Sequence, residues 1–146
     1  MVNKKTLALL KANIKPIVCI GETLEERRLR LTVNILERQL RVCFDGFSAS
    51  DLTQTVILYE PRWAIGTGQF ADADQIAEAH HYIRIELGRL FSADSADRTR
   101  ILYGGSVTPE NASAILKITD VDGVGVGGAS LDPANFLQVV NAISGV

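Results

Sequence analysis

The sequence predicts an α/β protein, a helix followed by four parallel βα units, and three observations predict it. Four short apolar runs rich in β-branched residues recur along the chain, at Ile17–Ile20, Val56–Tyr59, Ile101–Tyr103 and residues 124–126. Helical stripes of apolar residues separate or follow them. Polar cap residues, two of them followed by proline, mark where helices begin.

Residues 3–12 read as a helix that turns Leu7 and Leu10 inward. After the first strand, Val33, Leu36, Leu40 and Cys43 share one helical face, and after the second Ile76, Ala79, Ile83, Leu87 and Leu90 share another. Asp72 stands three residues before Gln75, the spacing of a capping box, while Thr108-Pro109 and Asp132-Pro133 open the last two helices. The final helix is expected to bury Phe136, Val140 and Ile143. Each stripe covers one face of a sheet whose strands read as buried. Such a repeat forms either an open doubly wound sheet or part of a (β/α)8 barrel. A whole barrel needs eight strands and about 250 residues, so four strands imply half of a closed arrangement with two unpaired edges.

The chain has 146 residues, 47% hydrophobic and 22% charged, which suits one globular domain, 1–146, with a single core. A net charge of −2 offers no basic field for nucleic acid, and the run Glu25-Glu26-Arg27-Arg28 mixes both signs as a solvated surface does. Cys19, in an apolar run, and Cys43, on a helical face, read as small buried side chains and not as a disulfide. Neither they nor the adjacent His80 and His81 have metal-cluster spacing, so no metal and no cofactor is expected, and the two histidines are assigned structural or surface roles. No stretch has the length of a membrane span, and the basic N-terminal segment is broken by Lys11 and Lys15, unlike a secretory signal. A cytoplasmic protein without membrane or nucleic-acid partners is the expectation.

One segment carries chemistry. YEPRWAIGTG at 59–68 places Glu60 at the end of a strand and follows it with a loop stiffened by Pro61, loosened by Gly66 and Gly68, and apolar at Ala64-Ile65. A carboxylate beside a loop able to exclude water is a candidate general base. Further on, Gly104-Gly105-Ser106 and Gly127-Gly128 follow the third and fourth strands. Glycines there either serve tight turns or let backbone N–H groups approach a phosphate.

Together with PIVCIGETLEER at 16–27, ILYGGSVTPENA at 101–112 and VDGVGVGGASL at 121–131, that segment resembles the triosephosphate isomerase family, and the match covers nearly the whole chain. The order and spacing resemble strands five to eight, the C-terminal half of the barrel. The resemblance implies that Glu60 is the base moving a proton between neighbouring carbons of a triose phosphate through an enediolate, under a loop that closes; the family is itself a type case of loop closure. Burial under the lid would disfavour the charged carboxylate and strengthen it as a base. By position, Gly66, Ser106, Gly127 and Gly128 would contact the phosphate. Glu22 would hold the lid residue Trp63, and Tyr103 with Ser106 would hydrogen-bond the closed loop. For Glu22 the plain alternative is a helix-start carboxylate beside the Thr23 to Glu26 capping spacing.

Three positions depart from the family pattern: Arg62 and Gln69 replace an apolar residue and a lysine of the lid, and Gly125 replaces a leucine that walls in the base. Residues 1–5 resemble the interior of the helix after strand four. The asparagine and lysine of strand one and the histidine of strand four have no counterpart here, and such donors are each worth about 10²–10³ in rate. The expectation is therefore a nearly inactive lone chain that needs an N-terminal half-barrel or a second copy of itself. The competing readings are a non-catalytic phosphate-binding half-barrel that self-associates and a product that folds poorly.

Overall fold

The computed structural model describes residues 1–65 and 69–143. Four strands, β1 (Ile17–Ile20), β2 (Val56–Tyr59), β3 (Ile101–Tyr103) and β4 (Gly123–Val124), form one sheet in the order β1-β2-β3-β4. All neighbours are parallel, with Ile17 opposite Val56, Ile57 opposite Ile101 and Leu102 opposite Gly123. Sequence neighbours are spatial neighbours throughout, so the sheet has no switch point of the doubly wound kind; the fold is the half-barrel alternative. The strand expected at 124–126 is shorter and one residue earlier; beyond it the Gly125 amide still donates to the Tyr103 carbonyl at 2.8 Å before the chain turns away.

The helices are α1 (Val2–Lys11), α2 (Leu24–Arg28), α3 (Thr32–Cys43), α4 (Ala49–Thr53), α5 (Ala73–Leu90), α6 (Ala93–Arg98), α7 (Pro109–Leu116) and α8 (Pro133–Ile143). Capping boxes open α5 through Asp72 and Gln75 and α7 through Thr108 and Asn111. α2, α4 and α6 were not expected from periodicity, because five or six residues are too few to show it. Their caps alone signal them: Thr23 with Glu26, Ser48 with Asp51, and Ser92 accepting from the Ser95 amide.

The core lies between one face of the sheet and the helices. Val18, Ile20, Ile57, Tyr59, Ile101 and Tyr103 point into it and meet Leu36 and Leu40 of α3 and Ile76, Ile83 and Leu87 of α5. On the opposite face Ile17 is 58% exposed, Cys19 is exposed, and Val56, Leu58 and Leu102 are half-buried. The expected burial of the strands therefore holds for alternate residues only, and Cys19 is corrected from buried to exposed, because strand side chains alternate and, among the described residues, no helix packs on this second face. Cys43 is buried as expected.

Two helical faces are also rotated from the sequence reading. In α8 Val139 is buried, while Phe136 and Val140 are 43% and 40% exposed; the helix packs on α7 and the turn at 128–131, leaving its flanks open. The side chain of Ile143 lies outside the described residues. In α1 Thr6 is the buried residue, its hydroxyl donating to the Val2 carbonyl at 3.1 Å, and Leu7 and Leu10 are half-buried.

Arg84 of α5 fastens the other end of the sheet. Its guanidinium donates to the carbonyls of Ala96 and Thr99 at 2.6 and 2.5 Å and to the Asp122 carboxylate at 2.7 Å, while Asp122 accepts from the Ile101 amide at 2.7 Å. Beside it His80 is fully buried, packed against Tyr59 and Tyr103, with Nδ1 3.1 Å from the Asp120 carbonyl. Burial, more than any neighbouring charge, lowers its pKa from 6.5 to about 4.

Between those values the unfolded chain binds the more protons, so His80 contributes its full stability above about pH 6.5 and loses it as the pH falls toward 4. A shift of that size corresponds to about 3 kcal/mol. Urea unfolding should show stability declining from pH 6.5 to 5, above the range where carboxylates titrate, and His80→Phe should flatten that slope. An unchanged slope in the variant would assign the pH dependence to other groups.

Candidate active site

Glu60 follows β2 directly, and its position is set by backbone contacts on both sides. Its amide donates to the Ile20 carbonyl at 2.8 Å, and the Gly104 amide donates to the Tyr59 carbonyl at 2.8 Å. A Cβ added at Gly21 would stand 1.9 Å from the Glu60 carbonyl oxygen, so only glycine permits this approach of the two chain segments. Gln39 of α3 fixes Gly21 in turn, accepting from its amide at 2.8 Å and donating to its carbonyl at 3.0 Å.

The Glu60 side chain, half-buried, lies on the open face of the sheet over Gly104, where a Cβ would come 2.7 Å from its Cγ. Leu58, two residues earlier on the same face, leans the same way: its Cδ1 would be 2.9 Å from a Cβ at Gly104 and 2.8 Å from one at Gly125. Space vacated at Gly125 is thus filled by Leu58. The apolar cover expected to be missing beside the base comes from Leu58 on the base's own strand, β2.

Sequence reasoning missed a neighbour of Glu60. The Cys19 thiol, on the same open face, is pushed up to about 11, first by partial burial and then by the charge and hydrogen-bonding reach of Glu60. Strand alternation was the available signal, since Cys19 and Gly21 share a face of β1 and its extension.

Behind the sheet end, the carboxylate of Glu22 is fully buried and accepts from three side chains. The indole N–H of Trp63 donates at 3.1 Å, the Tyr59 hydroxyl lies 3.2 and 3.1 Å from the two oxygens, and Arg27 forms an ion pair at 3.1 Å. The Glu22 carbonyl also accepts from the Arg62 amide at 2.9 Å, and the Arg27 guanidinium lies 5.4 Å from the Trp63 ring centre. The capping box next door is made by Thr23 and Glu26, so Glu22 is not the helix-start group. Tyr59 was not anticipated as a partner; burial, with the Glu22 charge second, raises its phenol pKa well above the ordinary value. Arg62 itself is exposed and keeps its charge in solvent, and Gln69 is exposed as well.

In front of Glu60 a cavity of about 400 Å³ is lined by Glu60, Ile65, Gly104, Ser106, Gly127 and Gly128 among others. It brings together the candidate base and three of the four glycine and serine positions singled out from the sequence. Gly66 lies outside the described residues. A Cβ at Gly127 or Gly128 would meet nothing within 4 Å, so these glycines border open space, whereas the Ser106 carbonyl is held by the Asn111 amide group at 3.0 Å. Tyr103 does not line the cavity; its hydroxyl is buried, makes no hydrogen bond among the described residues, and would be 2.1 Å from a Cβ at Gly105. Burial raises its pKa, opposed by the Ala71 backbone.

Comparison with known proteins places the whole described chain in one family. The family model described as triosephosphate isomerase matches residues 1–143. A triosephosphate isomerase of Citrifermentans bemidjiense is 49% identical over 139 residues, 95% of this chain and 55% of that protein. Those of Endomicrobium trichonymphae and Lacticaseibacillus casei are 48% and 44% identical over 95% and 96% of the chain. The chain spans about half the length of these relatives, 55–56%.

Because burial is the larger cause of the Cys19 shift and Glu60 the next, Glu60→Gln should lower the Cys19 pKa from about 11 while leaving it above the ordinary 9.0. The pH dependence of thiol alkylation, with Cys43→Ala as background, reads this directly. A profile identical to that of the parent would mean that the two side chains do not meet.

Proposed function

This chain belongs to the triosephosphate isomerase family, and we propose that it carries the base and lid of an isomerase interconverting dihydroxyacetone phosphate and glyceraldehyde 3-phosphate. The observation that carries the reading is the single cavity in which Glu60 and the unobstructed Gly127 and Gly128 meet. A triose phosphate seated there places its phosphate against the glycine backbone and Ser106, with Gly66 of the lid as a further contact, and its carbon chain toward Glu60. The Glu60 carboxylate takes a proton from the carbon beside the carbonyl, leaving an enediolate, and returns it to the neighbouring carbon. A hydroxyl proton passes between the two adjacent oxygens in the same conversion, so one hydrogen moves from carbon to carbon and one from oxygen to oxygen, with no change in composition and no cofactor required.

Lid support follows from the same geometry. Glu22 anchors Trp63 at the start of the loop, and in this reading Tyr103 and Ser106 would bond the loop when it closes. The negative charge that develops on the enediolate oxygens needs electrophilic donors, and no lysine or histidine lines this cavity. An N-terminal half-barrel supplies them in this reading, pairing with the free edges of β1 and β4 and covering the open face of the sheet. Ile17 on the edge strand β1, 58% exposed, suits such a partner. A second copy would close the same edges and give a phosphate-binding half-barrel dimer without the missing donors.

Mixing this chain with the N-terminal half of a relative should yield isomerase activity absent from either piece. Glu60→Ala should lower that activity by about 10²–10⁴. Association without any gain in activity would remove the catalytic reading and leave the binding one.

A further inference from the structure

Away from the Glu60 cavity, a second cleft of about 290 Å³ opens where α2, the start of α3 and α5 meet, lined by Arg27, Arg30, Thr32, Val33 and Glu78. Its donors are concentrated at one place. α3, a helix of 12 residues, begins here with no side-chain cap and no acidic residue in its first turn, so its first N–H groups and the positive end of its dipole are uncompensated. Thr32 at that terminus is only 8% exposed, and its hydroxyl has no hydrogen-bond partner among the described residues. That hydroxyl is reached through the cleft and can meet an incoming acceptor.

Two guanidinium groups complete the walls. Arg30 occupies φ 58°, a left-handed conformation that a long side chain adopts only at a cost of about 1–2 kcal/mol. Arg27 gives one nitrogen to Glu22 at 3.1 Å and keeps further N–H donors. The opposing group is the Glu78 carboxylate on α5, which is exposed.

We propose that this cleft is an anion site that takes a phosphate group, held by Arg27, Arg30, the Thr32 hydroxyl and the N-terminal amides of α3. A tetrahedral dianion matches a donor set of two planar forks, one hydroxyl and a helix terminus, and the cleft volume admits it. The site is separate from the Glu60 cavity, yet Arg27 joins it to the Glu22 and Trp63 cluster, so occupancy is transmitted to the segment that follows Glu60. That arrangement is an effector site for a phosphate-bearing anion.

Titration of the isotopically labelled chain with inorganic phosphate, against sodium chloride at equal ionic strength, tests it. The amides of Thr32, Val33 and Asn34 should shift saturably with phosphate, and the fluorescence of Trp63, the single tryptophan, should change with the same midpoint. Arg30→Gly removes a donor and relieves the backbone, and should weaken binding about tenfold or more without loss of stability. Glu78→Gln should tighten binding, and Gly128→Val, which obstructs the other cavity, should leave these shifts in place. Shifts that chloride reproduces, that persist undiminished in Arg30→Gly, or that vanish in Gly128→Val would overturn the proposal.

Discussion

The buried carboxylate of Glu22 is the interaction on which the functional end of this molecule depends. A fully buried charge is tolerated only when its acceptor sites are filled, and Glu22 fills them from three separate elements: Tyr59 in β2, Arg27 in α2 and Trp63 in the turn after Glu60. Two of these partners, Tyr59 and Trp63, bracket Glu60 in sequence. Satisfying the charge therefore orders the chain on both sides of the candidate base, and the Glu22 carbonyl extends the hold to the Arg62 amide.

Glycine placement does the rest. Backbone contact at Gly21 fixes where Glu60 leaves the sheet, and the missing side chains at Gly104 and Gly125 make room for Glu60 and Leu58 on the open face. Cavity, base and bordering glycines then follow from strand register alone, because Glu60, Gly104 and Gly125 each begin the first turn beyond adjacent strands and are joined by amide bonds to the strand before. The open face and free edges are the complementary fact. One side of the sheet is packed by α3 and α5, while the other presents the Glu60 cavity.

Much of this was legible in the sequence. Period-3.6 stripes gave α3 and α5 their inward faces, and cap residues located α5, α7 and α8. What failed did so for identifiable reasons. Apolar runs do not reveal whether one face of a strand is covered, which is why Cys19 was expected inside; α8 is apolar at 136, 137, 139, 140 and 143, so more than one inward stripe fits its sequence, and Val139 rather than Phe136 or Val140 is the buried one. At the candidate site, motif positions anticipated the contact of Glu22 with Trp63, but not Tyr59 as a ligand of Glu22 or Leu58 as the filler beside Gly125. Both are contacts between residues far apart in sequence, set by side-chain direction that composition does not encode.

The most direct measurement is a double-mutant cycle on Glu22→Ala and Trp63→Phe, read by urea unfolding. If the carboxylate anchors the loop through the indole N–H, the two substitutions should couple by about 1 kcal/mol or more, the range of a hydrogen bond to a charged group. Strictly additive effects would show that Glu22 does not hold Trp63, and would contradict the account of how this end of the molecule is organised.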